Sequence, residues 1–315
     1  MIWIVFILLV FGLLALDLGI FHKKDHKISM KESLIWTSIW VSIAMLFGIA
    51  IYWIYEVNWM GINKLGIPAW EATLDYYTGY LIEESLSLDN IFVMALVFKF
   101  FKVDLKYQHN ILFWGIIGAV VFRLAMILVG AAFVRNFEYA TYAFGAILVY
   151  SAVKMLLEKE DDHENFKESF PVRMLSKAFK IDWSINDGRY FARENGKRVV
   201  TSLFAALIVV EFSDIIFAVD SIPAIFSITT DPFIVFTSNI FAILGLRNLY
   251  FFLAGMLDKF HYMKYALIGV LFFVGIKMLI VHYLEIPTSI SLLIILGLLT
   301  SGVLYSIYSA RHEKA

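Results

Sequence analysis

Apolar positions in this chain run on far longer than in any soluble fold, and the polar positions gather in the breaks between. Nine such runs cover roughly 2–22, 33–55, 74–99, 110–133, 137–157, 199–226, 232–256, 264–284 and 288–309. Each is long enough to cross the ~30 Å hydrocarbon core as a helix. A helix also satisfies its own backbone groups in lipid, where water cannot. The pattern predicts an all-α, polytopic membrane protein with about nine transmembrane helices.

The breaks orient it. Lys and Arg alternate from one connection to the next, with 20 on the odd-numbered connections and tail and 2 on the even-numbered ones. The positive-inside rule then puts the N-terminus outside and the C-terminus in the cytoplasm. On the cytoplasmic side would lie 22–32, 100–109, 158–198 and 257–263. The 158–198 connection is the one sizeable non-membrane piece. It opens with a charged run from Glu158 to Glu164, expected as a solvated linker. Residues 174–179 suit a short interfacial helix, and Asp187-Gly188 and Asn195-Gly196 suit tight turns. Between the second and third runs, Trp59, Gly61, Gly66, Pro68 and Trp70 suggest an interfacial piece with aromatics at headgroup depth.

Composition agrees: 61% of the 315 residues are hydrophobic and 17% charged, against about 25% charged in a soluble domain. Mean hydropathy is +0.77. The net charge of −1 offers no footprint for nucleic acid. With no cysteine, disulfides, thiolate metal sites and iron–sulfur clusters are excluded. The first run lacks the basic start of a cleavable signal peptide. Neither a Gly-x-Gly-Asp nor a His-Glu-x-x-His motif occurs, and no enzyme activity is expected.

Two stretches echo each other. Tyr142-Ala143 precedes Lys154-Met155-Leu156 as Tyr265-Ala266 precedes Lys277-Met278-Leu279. The run before each carries one central arginine, Arg123 or Arg247, 31 and 30 residues ahead of its lysine. One run earlier, Glu83-x5-Asp89 matches Asp214-x5-Asp220; Asp89 aligned on Asp214 through Asp-x2-Phe fits about as well. Units of three spans must enter the membrane from opposite sides, giving an inverted 3+3 repeat, a secondary-transporter signature. The chain divides accordingly into 1–73 (two helices and the interfacial segment), 74–157 (first repeat), 158–198 (cytoplasmic loop), 199–284 (second, inverted repeat) and 285–315 (last helix and tail).

The candidate chemistry is a set of acids at membrane depth, where an ionised group costs at least ~2.5 kcal/mol and marks function by default. The main candidates are Glu83, Asp89, Glu211, Asp214 and Asp220. Asn90 and Ser221 could add neutral oxygens. Asp17 and Glu84 are further acids, with capping and packing as their plainer roles. Arg123, Arg247 and Lys277 read either as counter-ions or as parts of a transport path. On a straight helix Glu211 and Asp220 would lie about 180° apart; a break at Pro223, which lacks the N–H for the Val219 carbonyl, would bring both inward. Such a break would let Asp89, Asp214 and Asp220 converge on one site. Donors that are all hard oxygens favour Mn²⁺, Ca²⁺ or Mg²⁺.

Glu83-x-Ser85-Leu86-Ser87-x-Asp89-Asn90, the stretch from Glu211 through Asp214 and Asp220-Ser221 to Ala224, and Thr237-Ser238-Asn239 through Arg247 resemble the motifs of the TerC family. The resemblance covers essentially the whole chain and is nearest to the Alx-type branch of nine-span bacterial proteins. It implies a multi-pass inner-membrane protein tied to Mn²⁺ export, alkaline-pH or metal-stress responses, tellurite resistance and metal loading of exported proteins. Its functional acids would be Glu83, Asp89, Glu211, Asp214 and Asp220, with Glu84 a departure from the usual basic or neutral residue. The expected function is export of a divalent cation, most of all Mn²⁺, with protons as the candidate coupling ion. The expected partners are that cation, the bilayer, and soluble proteins docking at 158–198. No tightly bound cofactor is expected. The alternative is a membrane scaffold or metal-delivery partner acting through the loop.

Overall fold

In the computed structural model, which describes residues 1–21, 30–137, 139–157, 169–183, 188–194, 197–254 and 263–312, every one of these apolar runs falls on an α-helix. They are α1 (Ile2–Phe21), α2 (Met30–Glu56), α3 (Ala69–Phe100), α4 (Leu105–Asn136), α5 (Ala140–Leu157), α7 (Ser202–Phe226), α8 (Pro232–Ala254), α9 (Met263–Ile280) and α10 (Thr288–His312). Seven of them are long and apolar enough to cross a membrane. The other two are α1, apolar over Ile2–Leu16, and α3, which carries Glu71, Asp75, Glu83, Glu84, Asp89 and Lys99. The chain is a nearly all-α, polytopic membrane protein. Large apolar side chains such as Leu8, Leu46, Trp53, Val129 and Leu293 stand exposed round it, as a lipid-facing perimeter requires.

The α5–α7 connection adds the short α6 (Phe170–Ala178) and strands β1 (Ile181–Asp182), β2 (Phe191–Glu194) and β3 (Lys197–Thr201). Their order is β1-β3-β2, with β2 antiparallel to β3. The expected linker at 158–164 and the turn residues Asp187, Asn195 and Gly196 lie outside the described residues. The remainder packs on the bundle. Val172 of α6 joins Phe98, Phe101, Ile111, Leu203 and Tyr250 in one apolar cluster. Gly188, at φ 85°, lets the chain pass over the Tyr107 ring, which a Cβ there would strike. Before α3, the expected interfacial piece is a 3-10 turn at Trp59–Gly61, with Trp59 and Trp70 exposed.

At the centre is α8. Residues 233–248 are all buried, packed among α2, α3 and α4, and Phe6 of α1 meets Phe233 and Phe236 edge to face and Phe241 at a tilt. α5 and α9 run antiparallel, Tyr142 stacking on His282 while Val149 lies against Gly275. Their backbones nearly touch: a Cβ on Gly145 or Gly275 would lie 2.9 or 3.1 Å from the other's carbonyl oxygen.

The expected break at Pro223 is absent. α7 is a regular helix through to Phe226, with Ser227 donating its N–H to the Pro223 carbonyl at 3.1 Å. The proline falls in the last turn, so only the Val219 carbonyl loses its partner. No break is needed either, because α7 has neighbours on several sides: α3 and α4 on one, α5 on another. Its lipid strip is narrow, marked by exposed Ile216 and Val219, and the acids face the helices flanking it.

Candidate functional site

Burying a carboxylate in a helical bundle requires a counter-charge or hydrogen-bond donors from another helix. For α3 and α7 that role falls to Arg123 of α4, which is 1% exposed. Its Nε and Nη2 take Asp214 side-on, at 3.3 Å to Oδ2 and 2.9 Å to Oδ1. Its Nη1 donates to the Glu83 carboxylate, to Asn239 Oδ1 at 3.0 Å and to Ser221 Oγ at 3.4 Å. Asn239 Nδ2 donates to the other Glu83 oxygen at 2.8 Å, and Asn90 Nδ2 to Asp214 Oδ1 at 3.0 Å. Glu83 is 1% exposed and Asp214 4%. Forked, charge-assisted bonds of this kind are the strong ones. Asp214 lies on α7 between Val210 and Ala218, members of two separate apolar clusters, so little solvent screens the charges.

Glu211 is one turn earlier on α7 and faces α4. A Cβ on Gly118 would land on its carboxylate, so a side chain at 118 would force the end of Glu211 to shift. Its Oε2 has no hydrogen-bond partner among the described residues, nor have the buried Asn90 Oδ1 and Glu84 Oε2. Beside Asp214 a 10 Å³ cavity, room for about one water molecule, is lined by Met94, Gly115, Ala119, Glu211 and Arg247. Arg247, 1% exposed, thus reaches the same region from α8.

Asp220 is elsewhere. Six residues past Asp214 it points about 120° round the helix, half-buried, and accepts a 2.6 Å bond from Ser151 of α5 with Lys154 nearby. Glu83, Asp214, Arg123, Asn90 and Ser221 are therefore one cluster, Glu211 and Arg247 border it, and Asp220 is engaged on the α5 side. The side chains of Asp89 and Asp17 lie outside the described residues.

Asn239, which stands in one of the family-like stretches, and Ser151 are not among the site residues expected from the sequence. The polar triplet Thr237-Ser238-Asn239, in an apolar run otherwise broken at Arg247-Asn248, was the available signal for Asn239. A second polar network was also missed. Asp75, 4% exposed, accepts from Thr288 Oγ1 at 3.0 Å and tethers α3 to α10, with buried Lys277 within electrostatic reach. Asp231, in the α7–α8 connection, caps α8 by accepting N–H bonds from Phe233 and Ile234 at 2.8 and 3.4 Å. Burial pushes its carboxyl above the ordinary range, against those two bonds.

The chain is similar to other proteins along nearly its whole length. An uncharacterized membrane protein of Myxococcus xanthus is 44% identical over 310 residues, covering 98% of this chain and 93% of its own. The Alx protein of Salmonella typhi, whose description proposes a membrane-bound redox modulator, is 44% identical over 301 residues (95% and 92%). That of Escherichia coli K12, described alike, is 41% identical over 316 residues (100% and 97%). No solved structure matches. Residues 69–314, which hold the Arg123 cluster, match the Integral membrane protein TerC family. The chain belongs to the TerC family of integral membrane proteins.

Proposed function

We propose that this chain exports a hard divalent cation, Mn²⁺ before Ca²⁺ or Mg²⁺, across a bacterial inner membrane, N-terminus outside and C-terminus inside. Transport would run by alternating access between two inverted halves, α3–α5 and α7–α9. The observation that carries this reading is the meeting of Glu83 from α3 and Asp214 from α7, both buried, on one cationic group that Ser221 Oγ and Asn239 Oδ1 also reach, so that the ligands left when that cation departs are all oxygens. Oxygen-only sets suit Mn²⁺, Ca²⁺ and Mg²⁺. Asp214 and Asp220 hold different partners in this conformation, so they serve the cation in succession. Glu211, bordering the cavity, is positioned to act as a ligand or proton carrier.

The relatives described as redox modulators are compatible with export, because moving a redox-active metal changes redox balance. Among these 315 residues there is no cysteine to run thiol chemistry directly. The scaffold alternative rests on the 158–198 connection, yet its described part is packed into the bundle through Val172, which favours a structural cap over a docking arm.

Flux of Mn²⁺, Ca²⁺ and Mg²⁺ into inverted membrane vesicles tests the proposal. Metal accumulation should be lost in Asp214→Asn and kept when 158–168 is replaced by a Gly/Ser run. The reverse result, flux untouched by Asp214→Asn but abolished by the replacement, would favour the scaffold and end the export reading.

A further inference from the structure

We infer that Arg123 is a tethered stand-in for the transported cation: its guanidinium fills the Glu83–Asp214 site while metal is absent, and must be displaced for a divalent ion to bind. The inference rests on the export reading and adds how the empty carrier is regulated.

The geometry is that of an occupied cation site. Four oxygen-bearing side chains from three helices, Glu83, Asp214, Ser221 and Asn239, converge on one guanidinium. The same oxygens form a hard donor set for a divalent ion. The two occupants exclude each other, because a guanidinium and a divalent ion among the same carboxylates repel strongly where water is absent. Charge makes the exchange sensible. Two carboxylates against Arg123 leave one negative charge uncompensated within the cluster, and a divalent ion in its place neutralises both.

An exporter must also return empty. Without Arg123, the metal-free protein would rearrange with two bare carboxylates between apolar clusters, a costly state. With Arg123 in place the acids stay paired through the return. Arg123 lies on α4, one turn beyond Ala119 and two beyond Gly115, which line the cavity beside Asp214.

The test compares wild-type protein with Arg123→Gln in liposomes and in detergent. Net Mn²⁺ movement, which requires the empty return, is measured against Mn²⁺/Mn²⁺ exchange, which does not. Removing the built-in competitor should tighten Mn²⁺ binding about tenfold or more. It should also raise the ratio of exchange to net flux by roughly the same factor. Binding no tighter than wild type overturns the inference, as does an unchanged ratio. If Arg123→Gln does not fold, Arg123→Lys carries the test: a single ammonium lacks the fork, so Mn²⁺ should still bind more tightly, and wild-type affinity refutes. Wild-type protein that neither exports nor exchanges Mn²⁺ sinks the export reading instead, while the binding comparison still decides the role of Arg123.

Discussion

Asp214→Asn and Asp220→Asn delete the same charge from the same helix by the same near-isosteric change, yet their effects on stability should differ severalfold. Asp214 is 4% exposed and accepts three bonds: from Arg123 Nη2 and Asn90 on Oδ1, and from Arg123 Nε on Oδ2. An asparagine oriented to keep the Oδ1 pair turns its own NH₂ toward the Arg123 Nε–H, donor against donor. Arg123 also loses one of its two counter-charges. Removing a partner from a buried ion pair costs ~3–5 kcal/mol. Glu83 stays in place, so the lower end, ~3 kcal/mol, applies. Asp220 is half-buried and accepts one bond from Ser151, which asparagine can also accept, so that loss should be ~1 kcal/mol or less. Denaturant unfolding in mild detergent, followed by intrinsic tryptophan fluorescence, measures both. Equal losses, or an Asp214→Asn protein as stable as wild type, would mean that the Arg123 fork does not hold α4 to α7.

Other expectations follow from single contacts. Gly118→Ala should destabilise by ~1–3 kcal/mol because its methyl overpacks the Glu211 carboxylate. Gly115→Ala meets only Val210 at an ordinary 3.6 Å and should be neutral or stabilising by up to ~1 kcal/mol through helix propensity; thermal unfolding of the pair would expose a reversed order. Burial raises the Asp231 carboxyl, so the folded protein holds that proton more tightly than the unfolded one. Its contribution to stability then falls as pH climbs from the ordinary carboxylate range through the folded pKa. Asp231→Asn should flatten that part of the stability–pH curve, and an unchanged slope would refute the assignment. Because the chain has no cysteine, Asn165→Cys offers a single reporter of orientation. It should resist impermeant maleimide in intact cells, and labelling from outside would reverse the topology.

The helices were legible in the sequence because membrane spans announce themselves locally, as apolar runs of fixed minimum length. The inventory of the site was legible for a related reason. In such runs Glu83, Glu211, Asp214, Asp220 and Arg123 stand out against their neighbours, whatever they touch. Pairing is different, since it depends on which helix lies beside which. One straight helix cannot aim Glu211 and Asp220 at a single point, which is why the sequence leads one to expect a bend at Pro223. The structure removes the premise: α7 is flanked by α4 and by α5, so each acid meets a different neighbour and the helix stays regular. Asn239 and Ser151 were not candidates because neither adjoins an acid in the chain, as Asn90 and Ser221 do beside Asp89 and Asp220. The same logic links Arg123 to both α3 and α7. An arginine at membrane depth must find acids, and acids there must find a cation. With Glu83 on α3 and Asp214 on α7, one guanidinium on α4 satisfies both. On the export proposal, a divalent ion would satisfy the same two carboxylates only by taking the place of that guanidinium, so the contact that makes the buried acids tolerable in the empty protein is also the one that metal binding would have to break.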